Sequence, residues 1–174
     1  MSTIVATNIQ SDTIKHSGGT SAMTIDSSGR VSKSVVPAFF VYNSTNNWIS
    51  NVSVGTLIQF NTAKFNLGNH FNLSTYKFTA PIAGLYQFNV RMYVNNDAGD
   101  NAWGITINDT IYNHDNAAYP LFGNLVSPGN GNDQGANGSH LLNLSASDTV
   151  SCISMNASTD YFGTMTSMSG FLVG

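Results

Sequence analysis

Apolar and polar residues alternate along much of the chain after residue 35, and this alternation predicts β-strands. In the clearest stretch, every second residue from Tyr86 through Phe88 to Val94 is apolar, while Gln87 and Arg91 lie among polar residues between them. A period of two is that of a strand with one buried face. We therefore predict that Tyr86 and Phe88 point into a core and that their neighbours face outward.

Shorter patterns of the same kind predict further strands. Residues 35–42 are dense in β-branched and aromatic side chains, which favour strands. Residues 103–107 alternate again, and Asn108-Asp109 after them predicts a tight hairpin turn. The Gly- and Asn-rich residues 128–139 are predicted to form a loop. The remaining strands are predicted at 140–144, 149–155 and 166–173. No window has a helical period, so many short strands separated by turns indicate an all-β sandwich or barrel.

Residues 1–34 have a different pattern from the rest of the chain. They contain no aromatic residue, and isolated apolar residues are separated by Ser, Thr and Gly. Residues 24–31 are typical of two short strands around a Gly-containing turn. The segment is either a disordered tail or an attachment arm that becomes ordered by β pairing with sister chains or another surface. We therefore divide the chain into an N-terminal arm, residues 1–34, and a head, residues 35–174.

The composition supports an all-β fold with an uncharged polar surface. The 174 residues include 22 Asn, 21 Ser and 16 Thr, there is no Glu, and all nine acidic residues are Asp. Asn, Ser and Thr favour turns and strand faces over helix interiors. With 41% hydrophobic residues, the chain is too apolar for an intrinsically disordered protein. We therefore expect one folded head with a neutral surface.

Charge and the single cysteine exclude several function classes. A net charge of −3 without any cluster of Lys or Arg leaves no footprint for nucleic acid. No stretch approaches the ~20 apolar residues of a membrane span, and the first residues lack the pattern of a signal peptide. We expect no nucleic-acid partner, no membrane insertion and no export by the usual route. Since Cys152 is alone, stability must come from packing and association.

Catalytic and metal-binding patterns are sparse. The sequence has no Gly-x-Ser-x-Gly elbow, no His-Glu-x-x-His and no phosphate loop, so we expect a protein that is not an enzyme and has no cofactor. Residues 95–101 concentrate oxygen-bearing side chains, among them Asp97 and Asp100, and calcium takes such ligands in flexible loops. The same residues are also typical of an ordinary solvated turn. Calcium is therefore the one metal that the sequence leaves open.

Two aromatic residues, Trp48 and Tyr119, are predicted to lie in loops. Aromatic side chains exposed in loops often serve recognition, which makes these two candidate receptor contacts. The alternative is that they cap the core or the seam between subunits, because single surface aromatics are normal.

The segment Pro81-Ile-Ala-Gly84-Leu-Tyr86-Gln-Phe88 closely resembles the central corner of C1q-type globular heads. In this corner Pro81 ends backbone donation, Gly84 permits a tight or left-handed backbone, and the two aromatic residues fill the next strand. Downstream, residues 142–150 resemble a strand pair of the family, and Ser169-Gly-Phe171 resembles its closing strand. These features occur in the family's order.

The resemblance implies a jelly-roll sandwich of about ten strands, of the C1q and tumour-necrosis-factor (TNF) type. It further implies a compact homotrimer in which each protomer buries an aromatic-lined face on the three-fold axis. Some members of the family bind calcium near the apex of the head. The residues predicted on this basis to pack the core or the trimer are Phe39, Tyr86, Phe88 and Phe171.

The N-terminal stretch from Thr7 to Val31 is similar to the openings of virion proteins of tailed bacteriophages. The similarity implies a structural virion protein, assembled in the host cytoplasm, whose arm binds other virion proteins. We expect a trimeric capsid decoration or head fibre. The alternative is a tail-fibre tip, or receptor-binding adhesin, that contacts a glycan or protein of the host surface.

Overall fold

The computed structural model describes residues 11–19, 21–33, 36–95, 101–111, 123–125, 134–155 and 159–173. The chain divides into two compact units, Met1–Val36 and Pro37–Gly174. The roles predicted for the arm and the head stay predictions. Among the described residues, no helix is long and apolar enough to cross a bilayer.

The N-terminal unit contains an antiparallel meander of three short strands. Asp26 closes the second turn, because its carboxylate accepts a hydrogen bond from the backbone N–H of Arg30 and pairs with the Arg30 guanidinium at 2.7 Å. Gly29 follows with a φ of 76°, a conformation that glycine adopts without strain. The two strands predicted around a Gly-containing turn are confirmed. The strands are β1 (Thr13–Lys15), β2 (Ser21–Ile25) and β3 (Val31–Ser32).

The head is an all-β jelly-roll sandwich, as predicted. A 3₁₀ turn, Gly163–Met165, precedes the last strand, and the described residues contain no α-helix. The strands in chain order are β4 (Ala38–Tyr42), β5 (Trp48–Val52), β6 (Thr62–Leu67), β7 (Phe71–Asn72), β8 (Lys77–Thr79), β9 (Gly84–Val94), β10 (Asn101–Ile107), β11 (Thr110–Ile111), β12 (Gly123–Leu125), β13 (Gln134–Leu144), β14 (Thr149–Ser154), β15 (Thr159–Phe162) and β16 (Ser167–Leu172).

These strands form two antiparallel sheets. The smaller sheet has the order β11-β10-β14-β8-β7, and β12 also pairs with β10. The larger sheet has the order β5-β15-β9-β16-β4-β6, and β13 pairs with β9. The long strand β9 therefore lies in the middle of the larger sheet, with β13 on one side and β16 on the other.

Aromatic rings fill the core between the sheets. The ring centroids of Phe39, Phe78 and Phe88 lie between 5.2 and 6.2 Å from one another. Each inward residue of β9 from Tyr86 to Val94 is at most 1% exposed, which confirms the predicted alternation. The thiol of Cys152 is completely buried in the same core, and burial raises its pKa.

The closing strand β16 contains a glycine, Gly170, at a position where a side chain does not fit. It lies opposite Phe39 on one neighbouring strand and opposite Phe88 on the other. A Cβ atom at this position would lie 2.7 Å from the Phe39 ring and 2.8 Å from the Phe88 ring. Only a residue without a side chain leaves room for both rings.

The corner between β8 and β9 excludes one of the two backbone conformations predicted for Gly84. Pro81 lies beyond the last paired residue of β8, as predicted, but Gly84 is the first residue of β9 and pairs with Leu144. Gly84 is not among the described residues with positive φ, so it supplies no left-handed turn. The corner is closed instead by Tyr86, whose hydroxyl donates a hydrogen bond to the carbonyl oxygen of Ile82.

Of two further predictions, a turn and a loop, the turn is confirmed and part of the loop is wrong. Asn108 and Asp109 form the predicted turn, with φ values of 52° and 62°, as a type I′ hairpin requires. The loop predicted over residues 128–139 is wrong from Gln134 onward, because β13 pairs residue by residue with β9 as far as Leu144. Residues 128–133 lie outside the described residues.

Candidate functional site

The outer face of the larger sheet carries a group of apolar side chains that solvent reaches. Six large ones are between 41% and 56% exposed, and a seventh, Phe40, is half-buried. Their strands are neighbours in the sheet, so the side chains form one continuous surface. We call this surface the apolar face, and its residues are Phe40, Phe65, Leu67, Leu85, Leu141, Phe171 and Val173.

Strand register places these side chains beside one another. Phe171 lies opposite Gln87 on β9, and Leu141 lies opposite Gln87 from the other side. Phe40 lies opposite Phe65, and their ring centroids are 6.5 Å apart. Side chains directly opposite on antiparallel strands are within contact distance. The apolar face therefore spans five adjacent strands, from β6 to β13.

Next to the apolar face, the middle of the same outer face is polar. The Gln87 amide donates a hydrogen bond to the Ser139 hydroxyl at 2.6 Å, and Ser139 donates to the Asn89 side-chain oxygen at 2.9 Å. Beside this network, a recess of about 390 Å³ has Asn89, Arg91, Ser139 and Ser169 in its lining, together with Phe40 of the apolar face. Within the described residues, Arg91 forms no ion pair.

The aromatic residues predicted to pack the core or the trimer separate into two groups. Phe39, Tyr86 and Phe88 are at most 1% exposed and belong to the core. Phe171 is 44% exposed and belongs to the apolar face. Of these four, only Phe171 is placed to contact a second chain.

Trp48 lies in β5 and not in a loop. Its ring stacks on Tyr93, with centroids 6.0 Å apart, and meets Phe162 edge to face at 5.4 Å. Tyr93 points outward on β9, since it is an even number of residues from Leu85. Trp48 thus lies on the same side of the sheet as the apolar face, half-buried. A receptor contact and a subunit seam both stay predictions for it.

The remaining candidates lie outside the described residues. They are Tyr119 and the calcium candidates Asp97 and Asp100. Among the residues that are described, no three His, Cys, Asp or Glu side chains come together as a metal site.

Sequence reasoning missed most of the apolar face. Leu85 and Leu141 interrupt the polar positions of their strands, and Phe40 follows the inward Phe39. An apolar residue at an outward position was the available signal. It does not show which strands are neighbours, so the seven residues could not be joined into one surface.

Comparisons with known proteins agree with this architecture. Residues 38–173 match the model of the C1q domain. The globular domain of zebrafish complement 1qA is 16% identical with a TM-score of 0.57, covering 80% of this chain and 98% of that one. Eiger TNF from S. frugiperda is 11% identical with a TM-score of 0.63, covering 80% and 93%. Murine APRIL at pH 5.0 is 8% identical with a TM-score of 0.57, covering 79% and 99%.

No curated protein matches the sequence. The fold defines a jelly roll of the C1q and TNF class, and the chain belongs to the C1q domain family. Domains of this class are generally non-enzymatic binding or structural modules and are typically homotrimeric.

Proposed function

We propose that this chain is a structural protein of a bacteriophage virion, in which three copies form a module on the particle surface, as a capsid decoration or head fibre. The apolar face supports the association of three copies in this proposal. Six large apolar side chains about half exposed on one sheet are unfavourable in water, and burying such a half contributes about 1 kcal/mol each. Two further copies of the chain would cover this face, since the fold is typically trimeric.

The virion part of the proposal rests on the N-terminal sequence and the composition. Residues 7–31 are similar to the openings of phage virion proteins, and the chain is rich in Asn, Ser and Thr with only 9% charged residues. The single cysteine suits assembly in a reducing cytoplasm. In this proposal residues 1–34 bind other virion proteins and the head faces outward.

A second candidate function is a tail-fibre tip or adhesin that binds the host surface. The half-buried ring of Trp48, stacked on Tyr93, favours it, because aromatic side chains often anchor binding interfaces. A host glycan or an outer-surface protein would be the ligand.

Immunoelectron microscopy tests the location. Antibodies raised against the purified chain should label the capsid surface of particles of the virus that encodes it. Label confined to the tail tip, with adsorption of the purified protein to host cells, would support the second candidate. Particles without label would contradict both.

Deletion of the arm tests the proposed anchor. A chain without residues 1–34 should still form a folded trimer but should no longer join particles when it is supplied during infection. Incorporation at the level of the full chain would show that the anchor lies in the head.

A further inference from the structure

The N-terminal meander has two chemically different faces. Ile14 lies opposite Met23, and Val31 lies opposite Ile25. Met23 and Ile25 are two residues apart on β2 and so point to the same side. The four large apolar side chains of the meander therefore share one face, which we call the meander face.

The opposite side of the meander carries polar groups that pair with one another. Thr24 and Ser32 lie opposite each other there, and their hydroxyl oxygens are 2.6 Å apart, in a hydrogen bond. The charges of the turn are also paired within the meander, between Asp26 and Arg30. Among the described residues of the N-terminal unit, no layer covers the meander face, where Ile14 is 47% and Val31 57% exposed.

The meander is a small sheet. Its strands have three, five and two residues, short compared with the five or six that are usual in globular proteins, and burying its apolar side chains would stabilise it. The meander face would be half of a hydrophobic layer, and a second apolar surface would supply the other half.

The length of the link to the head favours sister chains as that surface. Residues 33–37 join Ser32 to Ala38, a stretch that spans at most about 20 Å. Ala38 lies opposite both Phe171 and Leu67 of the apolar face. In the proposed trimer the three apolar faces meet near the axis, so the three links also begin there. Links this short hold the meanders at a local concentration in the millimolar range.

We infer that the three meanders pack together through their meander faces and form a second trimeric layer, separate from that of the heads. This inference rests on the proposed trimer. Ile14, Met23, Ile25 and Val31 of each chain lie inside this layer, and Thr24 and Ser32 remain in water. The layer gives the arm a defined shape through which it could bind the particle.

Cysteine cross-linking in the full-length protein tests the inference. Met23→Cys puts a thiol on the meander face, and Ala22→Cys puts one on the adjacent residue of β2, which points to the opposite side. Val31→Cys is a second variant on the meander face. The native Cys152 is completely buried, so the unmodified chain is the blank.

After mild oxidation, Met23→Cys and Val31→Cys should each give about ten-fold more cross-linked dimer than Ala22→Cys, because their thiols are held together at high local concentration. Light scattering on the same samples tests the proposed trimer separately from the inferred packing of the meanders. A trimeric mass with equally low cross-linking from all three variants would overturn the inference and leave the trimer intact; the meander face would then cover the chain's own head or a virion partner. A monomeric mass would overturn both.

Discussion

The Tyr86 hydroxyl donates a hydrogen bond to the carbonyl oxygen of Ile82 at 2.8 Å, and this bond fastens the corner to the strand that follows it. The tyrosine corner of immunoglobulin-type sandwiches makes a similar bond to the backbone a few residues upstream. The ring of Tyr86 is at the same time fully buried in the core. The Tyr86 side chain therefore stabilises both the core and the corner.

Tyr86→Phe should keep the ring and lose only this hydrogen bond. We expect the free energy of unfolding to fall by about 0.5–1.5 kcal/mol, the usual net value of one hydrogen bond. Denaturation in urea measures it. Tyr76→Phe is the matched control, because no hydrogen bond of the Tyr76 hydroxyl is found within the described residues. An equal loss from both variants would contradict the role given to the Tyr86 hydroxyl.

Gly170→Ala should destabilise the head. The new methyl would lie within 3 Å of both the Phe39 and Phe88 rings, and overpacking of a core costs about 1–3 kcal/mol. Gly135→Ala is the control, because a Cβ atom there would make only ordinary contact, 3.8 Å from Tyr93. Thermal melting compares the two. A Gly170→Ala protein as stable as Gly135→Ala would show that the Phe39 and Phe88 rings move aside without loss of stability.

The alternation of β9 and the closing-strand motif carried most of the fold prediction. Periodicity predicts that Phe88 points inward, because the two sides of a half-buried strand differ in polarity. It does not predict which strands are neighbours. Phe171 and Leu141 lie 30 residues apart in the sequence yet flank the same Gln87. The candidate site depends on such cross-strand neighbours and was therefore largely invisible in the sequence.

The loop predicted over residues 134–139 was wrong because local preference was weighed without the neighbouring strand. Gly, Asn and Ser dominate them, and these residues favour turns when they are considered alone. In the head each of them pairs with a residue of β9, and a long continuous ladder outweighs a weak local preference for turns. Strand propensity depends on the neighbouring strand, which the sequence does not reveal.

The hydroxyls of Thr106 and Ser151 form a buried pair on the smaller sheet. They lie 2.5 Å apart, and the two residues are 4% and 1% exposed. Thr106→Val leaves the Ser151 hydroxyl buried without this partner, which costs about 1–3 kcal/mol. Adding Ser151→Ala should recover part of that loss, since no unpaired hydroxyl then remains. A double-mutant cycle in urea measures the coupling, and strictly additive losses would contradict it.

Stability should fall in mild alkali because of Cys152. Burial raises the pKa of its thiol, and burial also raises the pKa of Tyr161. A group whose pKa is higher in the folded chain stabilises it fully below the unfolded pKa, ~8.5 for a thiol, and this contribution is lost as the pH rises. The melting temperature should begin to fall above about pH 8.5.

Cys152→Ala separates the two groups. In this variant the decline should start only near pH ~10, where an unfolded tyrosine ionises. An onset that is unchanged in Cys152→Ala would show that the thiol does not cause it.

The apolar face predicts a variant that dissociates without unfolding. Leu141 is 52% exposed and points away from the core, so Leu141→Asp should cost the monomer little. In the trimer the same carboxylate would be buried without a partner, at a cost of several kcal/mol. Val54→Asp is the control, because Val54 is 60% exposed but lies outside the apolar face. Near-ultraviolet circular dichroism checks that both variants stay folded.

The molar mass of the purified chain in solution tests the central claim most directly. Light scattering coupled to gel filtration should give three times the 18.6 kDa of the chain for the wild type and for Val54→Asp, and should give the mass of one chain for Leu141→Asp. A wild-type protein that elutes with the mass of a single chain at micromolar concentration would contradict the account.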